Sequence, residues 1–180
     1  MKNLNLIAGG VWHLPFTASL FRNVKNVKKR VITSIPKRIY NQHNFSNLFV
    51  PKYSQIIQKL FKLKLNKKIR LIDDYQFSYL ASKFINNGDL NWGWQGFLFN
   101  SMLKNYNGIN ILDRACPHIN NQEEIKKEQC KILNLKYDPK SDYVYKRSYL
   151  EYEKSDFIVT TSNFSKNTFI KNGIDEKKNY

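Results

Sequence analysis

The sequence predicts an α/β domain in which a parallel sheet carries helices on both faces. Short apolar runs alternate about five times with helix-like segments, which is the pattern of a doubly wound sheet. Several of these runs end abruptly in glycine or polar residues. At 180 residues and 42% hydrophobic, the chain is long enough to bury one core, so we expect residues 1–180 to form a single domain.

Five apolar or alternating runs predict the strands. In chain order they are residues 3–8, 29–34, 89–92, 109–112 and 157–160. The first run ends at Gly9-Gly10 and the second is closed by Pro36. Residues 36–53 are rich in Pro, Asn and Ser, which indicates a long surface connection.

The intervening segments carry apolar residues at helical spacing. They predict helices at residues 12–23, 54–65, 73–84, 96–106, 121–133, 143–154 and 163–171. Asp73 and Asp74 are interpreted as an N-terminal cap, since neighbouring side chains on a helix diverge and Asp is a common N-cap. Ser162 or Asn163 is expected to cap the last helix, and Gly173 to end it.

The chain is strongly basic, with a formal net charge of +16 and a pI of about 9.8. This charge is typical of nucleic-acid-binding proteins. The lysines are scattered, however, and no block of like charges stands apart, so attraction to an anionic membrane or a phosphorylated substrate is favoured over specific nucleic-acid binding. Residues 54–65 are basic and amphipathic, which favours a helix packed on the sheet over one lying in a membrane interface.

The two cysteines, Cys116 and Cys130, are too few for a disulfide framework and fit a reducing compartment. Together with His118 they would form a zinc site that lacks one ligand, so no metal is expected. No run approaches the ~20 apolar residues of a membrane span. Residues 6–21 have the outline of a signal peptide, but His13 and the two glycines interrupt it, and we expect a cytoplasmic protein.

Polar residues at the ends of the predicted strands are the candidate site, because parallel strands bring their carboxyl ends to one edge of the sheet. Gly9-Gly10, between a strand and a helix, would let a phosphate approach the backbone, although a plain tight turn explains the pair equally well. The fingerprint Gly-x-Gly-x-x-Gly is absent, which disfavours a nicotinamide or flavin dehydrogenase. Trp92 is expected in the core, whereas Trp94 lies beyond the apolar run and is the better ligand candidate.

The densest cluster of chemically useful side chains follows the fourth strand. Apolar residues 109–112 give way abruptly to Asp113, Arg114 and Cys116, and Pro117 stiffens the turn before His118. A predicted helix starts soon afterwards, so its positive end would face the cluster.

Two segments in this part of the chain resemble glycosyltransferase family 4, specifically the N-terminal half of those enzymes. Residues 111–122 read ILDRACPHINNQ, and residues 147–165 read RSYLEYEKSDFIVTTSNFS. They are similar to the family's "drg-s-H…Q…EE" segment and to its following "re…Ey…aD-i-v-pS-f…sf…g" segment. The resemblance covers residues 109–173 and extends more loosely to GGVWH at residues 9–13 and to the ITS-x-P after the second strand.

The resemblance implies a GT-B architecture, with two Rossmann-like halves and an active site between them. Such enzymes transfer a sugar with retention from a nucleoside diphosphate sugar to a glycan or lipid-linked acceptor, without a bound metal or further cofactor. Gly9 and Gly10 would lie beside the donor pyrophosphate, and His118 beside the donor sugar as the catalytic residue. Trp94 and Arg114 would lie near the acceptor.

Three further residues are weaker candidates for contact with the acceptor or the sugar. His13 is the nearest basic residue after the glycines, and a packed helix residue is its equally good alternative. Ser162 and Asn163 match the family's segment, and helix capping is their alternative role.

In this family a second half grips the nucleotide, and the chain ends at Tyr180 before that half would begin. The sequence therefore predicts the acceptor-side domain of an enzyme whose donor-binding half is a missing C-terminal domain or a separate subunit. The charge leaves room for a peripheral contact with the inner face of a membrane. The alternative is a non-catalytic basic α/β module that docks on nucleic acid or an anionic membrane, which the charge favours and the absence of a binding motif opposes.

Overall fold

The computed structural model describes residues 3–9, 18–19, 21, 23–35, 45–53, 67–105 and 107–180. Its strands are β1 (Asn3–Ala8), β2 (Lys28–Thr33), β3 (Ser46–Phe49), β4 (Leu90–Trp94), β5 (Ile109–Arg114) and β6 (Phe157–Thr160). They form one all-parallel sheet with the order β3-β2-β1-β4-β5-β6. The predicted parallel α/β arrangement is therefore confirmed.

Five α-helices lie within the described residues. They are α1 (Lys67–Ser82), α2 (Phe99–Lys104), α3 (Ile119–Ile132), α4 (Asp142–Lys154) and α5 (Asn163–Lys171). The predicted helix at residues 54–65 lies outside the described residues, as does most of the one at residues 12–23. None of the helices in the described ranges combines the length and apolar character needed to cross a membrane.

Two predictions about secondary structure are wrong. Residues 46–49 form the edge strand β3 inside what was predicted to be a surface connection. An edge strand of four residues pairs on one side only and needs no apolar run, so the polar sequence concealed it. Asp73 and Asp74 are not a cap, because α1 begins at Lys67 and places both residues within the helix. Asp73 is buried there, and Asp74 accepts a hydrogen bond from the Lys52 ammonium group.

Alternation along the strands divides the core into two apolar layers, one on each face of the sheet. The first layer contains the strand residues Ile7, Ile32, Leu112 and Ile158 and the helix residues Phe77, Met102, Ile119, Tyr152 and Phe169. The second layer contains Leu4, Leu6, Ala8, Val31, Ala18, Ile35 and Phe45, with Trp92 and Trp94 packed against it. All five helices contribute residues to the first layer. The helical residues described on the second face are residues 18 and 19.

A row of polar side chains crosses four strands near their amino ends. Arg30 donates to Asn5 (Nε to Oδ1, 2.7 Å), Asn5 donates to Asn91 (2.8 Å), and Asn91 donates to Asn110 (3.0 Å). The strand register places these residues directly opposite one another, and the three asparagines are almost completely buried. A slip of one residue would turn the amides to the other face, so the row specifies the register of the sheet.

Asp89 lies beside Arg30 and Asn5, at one end of this row. Its carboxylate lies 2.8 Å from the Arg30 guanidinium group and accepts a hydrogen bond from Asn5 at 3.0 Å. Burial alone would raise the pKa of Asp89, but hydrogen bonds from Asn5, from the backbone of Asn86 and from Asn3 hold it below its ordinary value. The row is thus a charged and largely satisfied network inside the fold.

Replacing the centre of this row should weaken the fold. Asn91→Leu removes an acceptor for Asn5 and a donor to Asn110, so we expect the free energy of unfolding to fall by about 1–3 kcal/mol. Asn163→Leu, at an exposed position, is the matched control and should change it by less than about 0.5 kcal/mol. Urea denaturation measures both, and an Asn91 variant as stable as the wild type would contradict the role given to the row.

Candidate functional site

The predicted site residues that the structure describes lie along one edge of the sheet. Gly9 follows β1, Trp94 ends β4, Arg114 ends β5 and Ser162 follows β6. These four strands are consecutive neighbours in the sheet and parallel. With neighbouring strands ~4.8 Å apart, their carboxyl ends span about 15 Å. Gly10 and His13 lie outside the described residues.

Trp94 and Arg114 share this edge but not the same face. The Trp94 side chain is partly buried against the second apolar layer. Trp92 lies on that face too, where its indole N–H donates to Asp113 at 3.0 Å and its ring packs edge-on against Phe21. Trp92 and Trp94 are thus both partly buried against the second apolar layer, and the sheet separates Trp94 from Arg114.

Gly9 is required for packing at the end of β1. A β-carbon at this position would lie 2.6 Å from the Phe97 ring and 3.0 Å from the Lys52 side chain. The Gly9 carbonyl accepts a hydrogen bond from the Ser34 hydroxyl at 2.9 Å. The Lys52 ammonium group lies 4.5 Å from the centre of the Phe97 ring and 2.6 Å from Asp74. Close packing by itself explains why glycine follows the first strand.

His118 lies at the start of α3 and is completely buried. Its Nδ1 accepts a hydrogen bond from the Asn120 backbone N–H at 3.3 Å, so its side chain caps the helix. Its own backbone N–H donates to the Thr168 hydroxyl at 2.8 Å. The Tyr149, Tyr152 and Phe169 rings surround the imidazole, with ring centres 5.0–5.4 Å away.

The environment of His118 keeps its imidazole neutral. Burial, assisted by the positive charge of Arg114, lowers the pKa of His118 to about 4. Because Nδ1 accepts the capping hydrogen bond, the single proton of the neutral ring lies on Nε2. This Nε2–H is buried and has no hydrogen-bond partner. His118 thus offers a hydrogen-bond donor at Nε2, and it cannot act as a base through that atom.

Helix α4 places a polar face against the end of β4. The buried residues of this helix are Arg147, Ser148, Glu151 and Tyr152. One Glu151 carboxylate oxygen accepts a hydrogen bond from the Gly96 backbone N–H at 2.7 Å. Gln95 donates to the Ser148 hydroxyl at 2.6 Å and to the Tyr152 hydroxyl at 3.3 Å.

Glu151 is a carboxyl group in a strongly desolvated position. Burial raises the pKa of Glu151 to about 7, although the charges of Arg147 and Arg114 and the Gly96 N–H all act to lower it. Gly96 has a φ of +87°, and a β-carbon there would lie 2.9 Å from an Arg147 guanidinium nitrogen. Glycine at this position therefore lets Arg147 and Glu151 approach the strand end.

Arg114, His118, Arg147 and Glu151 together form what we call the buried polar cluster. The charge of Arg114 lowers the pKa of both His118 and Glu151, and the charge of Arg147 also acts on Glu151. Within the described residues, nine buried side-chain atoms lack a hydrogen-bond partner, and five of them belong to this cluster: Arg114 Nε, His118 Nε2, Arg147 Nε and Nη1, and Glu151 Oε2. Arg114 and Arg147 retain 9% and 8% exposure, whereas His118 and Glu151 retain none.

The cluster joins two predicted site residues to two that sequence reasoning missed. Arg147 and Glu151 lie four residues apart on a helix, a spacing that usually indicates an exposed ion pair. Both are buried on the side of α4 that contacts Gln95 and Gly96, just beyond the end of β4. The one sequence signal for this arrangement was the resemblance of residues 147–165, which includes both residues.

The remaining predicted candidates have local structural roles or lie apart from the cluster. The Ser162 hydroxyl accepts a hydrogen bond from the Ser165 backbone N–H at 3.2 Å and caps α5, as the capping alternative predicted. Asn163 is the exposed first residue of that helix. Cys116 and Cys130 are free, and over the described ranges no three His, Cys, Asp or Glu side chains are grouped so that they could hold a metal ion.

Comparisons of the chain with protein-family models, with curated proteins and with solved structures find no match. The geometry of the strand ends and the residues of the buried polar cluster are therefore the basis for a functional proposal.

Glu151 and His118 should give opposite pH dependences of stability. Folding raises the pKa of Glu151 from 4.5 to about 7, so the native state holds the extra proton and stability falls as the pH rises through this window. Folding lowers the pKa of His118 from 6.5 to about 4, so the unfolded state holds the extra proton and stability rises from pH 4 to 6.5. Each effect is on the order of 3 kcal/mol, and they oppose each other where the windows overlap.

Single variants should separate the two effects. Glu151→Gln keeps an acceptor for the Gly96 N–H and removes the destabilising ionisation. The stability of this variant should therefore rise as the pH increases from 4.5 to 6.5. His118→Asn keeps a helix cap, and its stability should decrease across the same range. Urea denaturation at a series of pH values measures both slopes. If both variants follow the wild-type profile, the two groups do not titrate as their burial requires.

Proposed function

We propose that the chain forms the acceptor-side domain of a retaining glycosyltransferase of the two-domain GT-B type, with a nucleoside diphosphate sugar as the donor. The observation that carries the proposal is the buried polar cluster, whose five unpartnered atoms lie at the carboxyl edge of a parallel sheet. The resemblance of residues 109–173 to the N-terminal half of family 4 enzymes supports the same assignment.

The unpartnered atoms favour a ligand over a purely structural role. A buried polar atom without a partner costs about 1–3 kcal/mol, and folded proteins contain few of them. Here they are concentrated in four side chains beside the strand ends, where α/β sheets bind ligands. In the amino-end row, by contrast, the asparagine amides are linked to one another.

The chemistry of the cluster suits a sugar or a sugar phosphate. Arg114 and Arg147 supply guanidinium donors, which bind phosphate and carboxylate oxygens well. Glu151 supplies an acceptor for a hydroxyl group, and His118 supplies one further donor. A sugar phosphate offers both hydroxyl groups and anionic oxygens, so it can satisfy donors and acceptors at once.

The residues of the buried polar cluster differ in exposure, and we assign them different roles on that basis. The ligand would meet Arg114 and Arg147 first, because they retain slight exposure whereas His118 and Glu151 retain none. His118 lies deeper, and its Nε2–H would donate to an oxygen of the donor sugar once a second half of the enzyme closes over the site. Such preorganised donors stabilise charge that develops in a transition state. The donor nucleotide itself would be held by that second half, as a C-terminal domain or a separate subunit.

Binding of a simple sugar phosphate tests the ligand chemistry directly. Glucose 1-phosphate should bind the chain with an affinity that Arg147→Gln lowers at least about tenfold, because a charged hydrogen bond is lost. Lys146→Gln makes the same charge change at an exposed neighbour on α4 and should lower the affinity less than about twofold. Isothermal titration calorimetry measures both. Equal losses in the two variants would assign the binding to net charge and not to the cluster.

Turnover tests the role of His118. With the donor-binding half present and a panel of nucleotide sugars as donors, His118→Asn should lower kcat by about 10²-fold, the usual cost of one transition-state donor. The ratio of wild-type to variant kcat should show no inflection near pH 6.5, because the pKa of His118 is about 4. Circular dichroism establishes that the variant is folded. Wild-type turnover in this variant would remove His118 from the reacting centre.

The alternative of a nucleic-acid-binding module makes a different prediction. Its binding to a random oligonucleotide would fall steeply with salt, in proportion to the number of phosphates contacted. We expect weak oligonucleotide binding that Arg147→Gln leaves unchanged, because scattered lysines supply it. Tight oligonucleotide binding that depends on the cluster would favour the module over the transferase.

A further inference from the structure

The C-terminal half of α3 stands away from the core. Ile119 and Glu123, both in the first half of the helix, are its buried residues. At its far end Ile132, Leu133 and Leu135 expose 79%, 65% and 61% of their surface. Single exposed aliphatic residues are ordinary on a protein surface, but three together form an apolar projection that calls for an explanation.

The segment after α3 runs back along the helix and is hydrogen-bonded to the first half of it. One Glu123 carboxylate oxygen accepts hydrogen bonds from the Tyr137 hydroxyl and from the Lys140 backbone N–H, both at 2.9 Å. The Lys140 ammonium group lies 3.2 Å from the other oxygen, and Lys126 donates to the Asp138 carbonyl. These contacts hold the helix and the returning chain together, so the projection has a defined shape.

The turn at the end of the projection is also defined. Asn134 has a φ of +51°, the left-handed conformation that ends many helices. The Leu135 backbone N–H donates to the Cys130 carbonyl at 2.8 Å, and the Asn134 N–H donates to the Lys131 carbonyl at 3.3 Å. The chain therefore reverses direction at Asn134, with an exposed leucine on either side. We call residues 131–136 the α3 tip.

Basic residues surround the apolar side chains of the α3 tip. Lys131 and Lys136 flank them directly, and the tip contains no acid. Residues 126–140 contain five lysines and two acids, and the whole chain has a formal net charge of +16. Apolar side chains bordered by lysines match the chemistry of a bilayer with anionic headgroups.

We propose that the α3 tip docks the protein on an anionic lipid bilayer, with Ile132, Leu133 and Leu135 entering the interface and Lys131 and Lys136 contacting lipid headgroups. This inference does not depend on the proposed transferase function. A second copy of the chain fits less well, since three aliphatic side chains supply on the order of 300 Å² of apolar surface. A stable dimer buries ~800 Å² per partner.

The proposal also agrees with the position of the tip. Helix α3 starts beside the buried polar cluster at His118 and contains 14 residues, which makes it about 21 Å long. The tip is therefore far from the cluster, and a membrane there leaves the strand ends free for ligand.

Co-sedimentation with lipid vesicles tests the proposal. The full chain should bind vesicles of mixed phosphatidylglycerol and phosphatidylcholine more tightly than pure phosphatidylcholine vesicles at about 0.1 M salt, because the anionic surface attracts the lysines. Changing Ile132, Leu133 and Leu135 together to serine should weaken binding to the mixed vesicles at least about tenfold, since the inserted apolar surface is lost. The variant should unfold like the wild type, because none of the three side chains is buried.

Matched controls locate the effect. Ile72→Ser, Leu103→Ser and Phe164→Ser, combined in one chain, change three exposed hydrophobic residues elsewhere and should leave vesicle binding within about twofold of the wild type. Lys131→Gln with Lys136→Gln should weaken binding to the mixed vesicles about tenfold, whereas the same changes at the exposed Lys25 and Lys28 should have a smaller effect.

Three results would overturn the proposal. The serine variant of the tip would bind vesicles like the wild type, or the control variants would lose as much binding as the tip variants. The third result would be self-association of the wild type in sedimentation velocity that the serine variant abolishes. That result would assign the α3 tip to a second copy of the chain.

Discussion

The register of the central strands is the constraint on which the rest of the structure depends. Four polar side chains, Arg30, Asn5, Asn91 and Asn110, are hydrogen-bonded in sequence across β2, β1, β4 and β5. Apolar side chains alone tolerate small displacements, whereas a chain of directional hydrogen bonds does not. With the amino ends fixed in this way, the carboxyl ends of the same strands also lie level with one another. The position of Arg114 relative to the end of β4 follows from that alignment.

Buried polar groups are hydrogen-bonded to different extents at the two ends of the sheet. At the amino end, Asp89 and the asparagines are linked to one another, and the network is largely satisfied. At the carboxyl end, Arg114, His118, Arg147 and Glu151 all keep unpartnered atoms. A polar network that serves only the fold gains by satisfying its members, so this difference supports the proposal of a ligand at the carboxyl end.

Sequence reasoning found features that depend on neighbouring residues in the chain. The alternation of strands and helices, the capping role of Ser162 and the polar break after β5 all belong to that kind. It missed features that depend on contacts between distant segments. The pairing of Glu151 with Gly96 joins residues 55 positions apart, and the hydrogen bond from Asn5 to Asn91 joins residues 86 apart. Asparagines in a strand are unfavourable by propensity, so only the three-dimensional register explains them.

Helix α3 connects the two surfaces to which we assign functions. His118 caps its start, and Asn134 turns the chain just beyond its end. The helix is rigid over about 21 Å, so it fixes how far the buried polar cluster can lie from a bilayer that holds the α3 tip. An upright helix would keep the cluster at that full distance, whereas a helix lying along the interface would bring it close to the headgroups. If both proposals hold, a lipid-linked acceptor with a short head reaches Arg114 and Arg147 only in the second orientation.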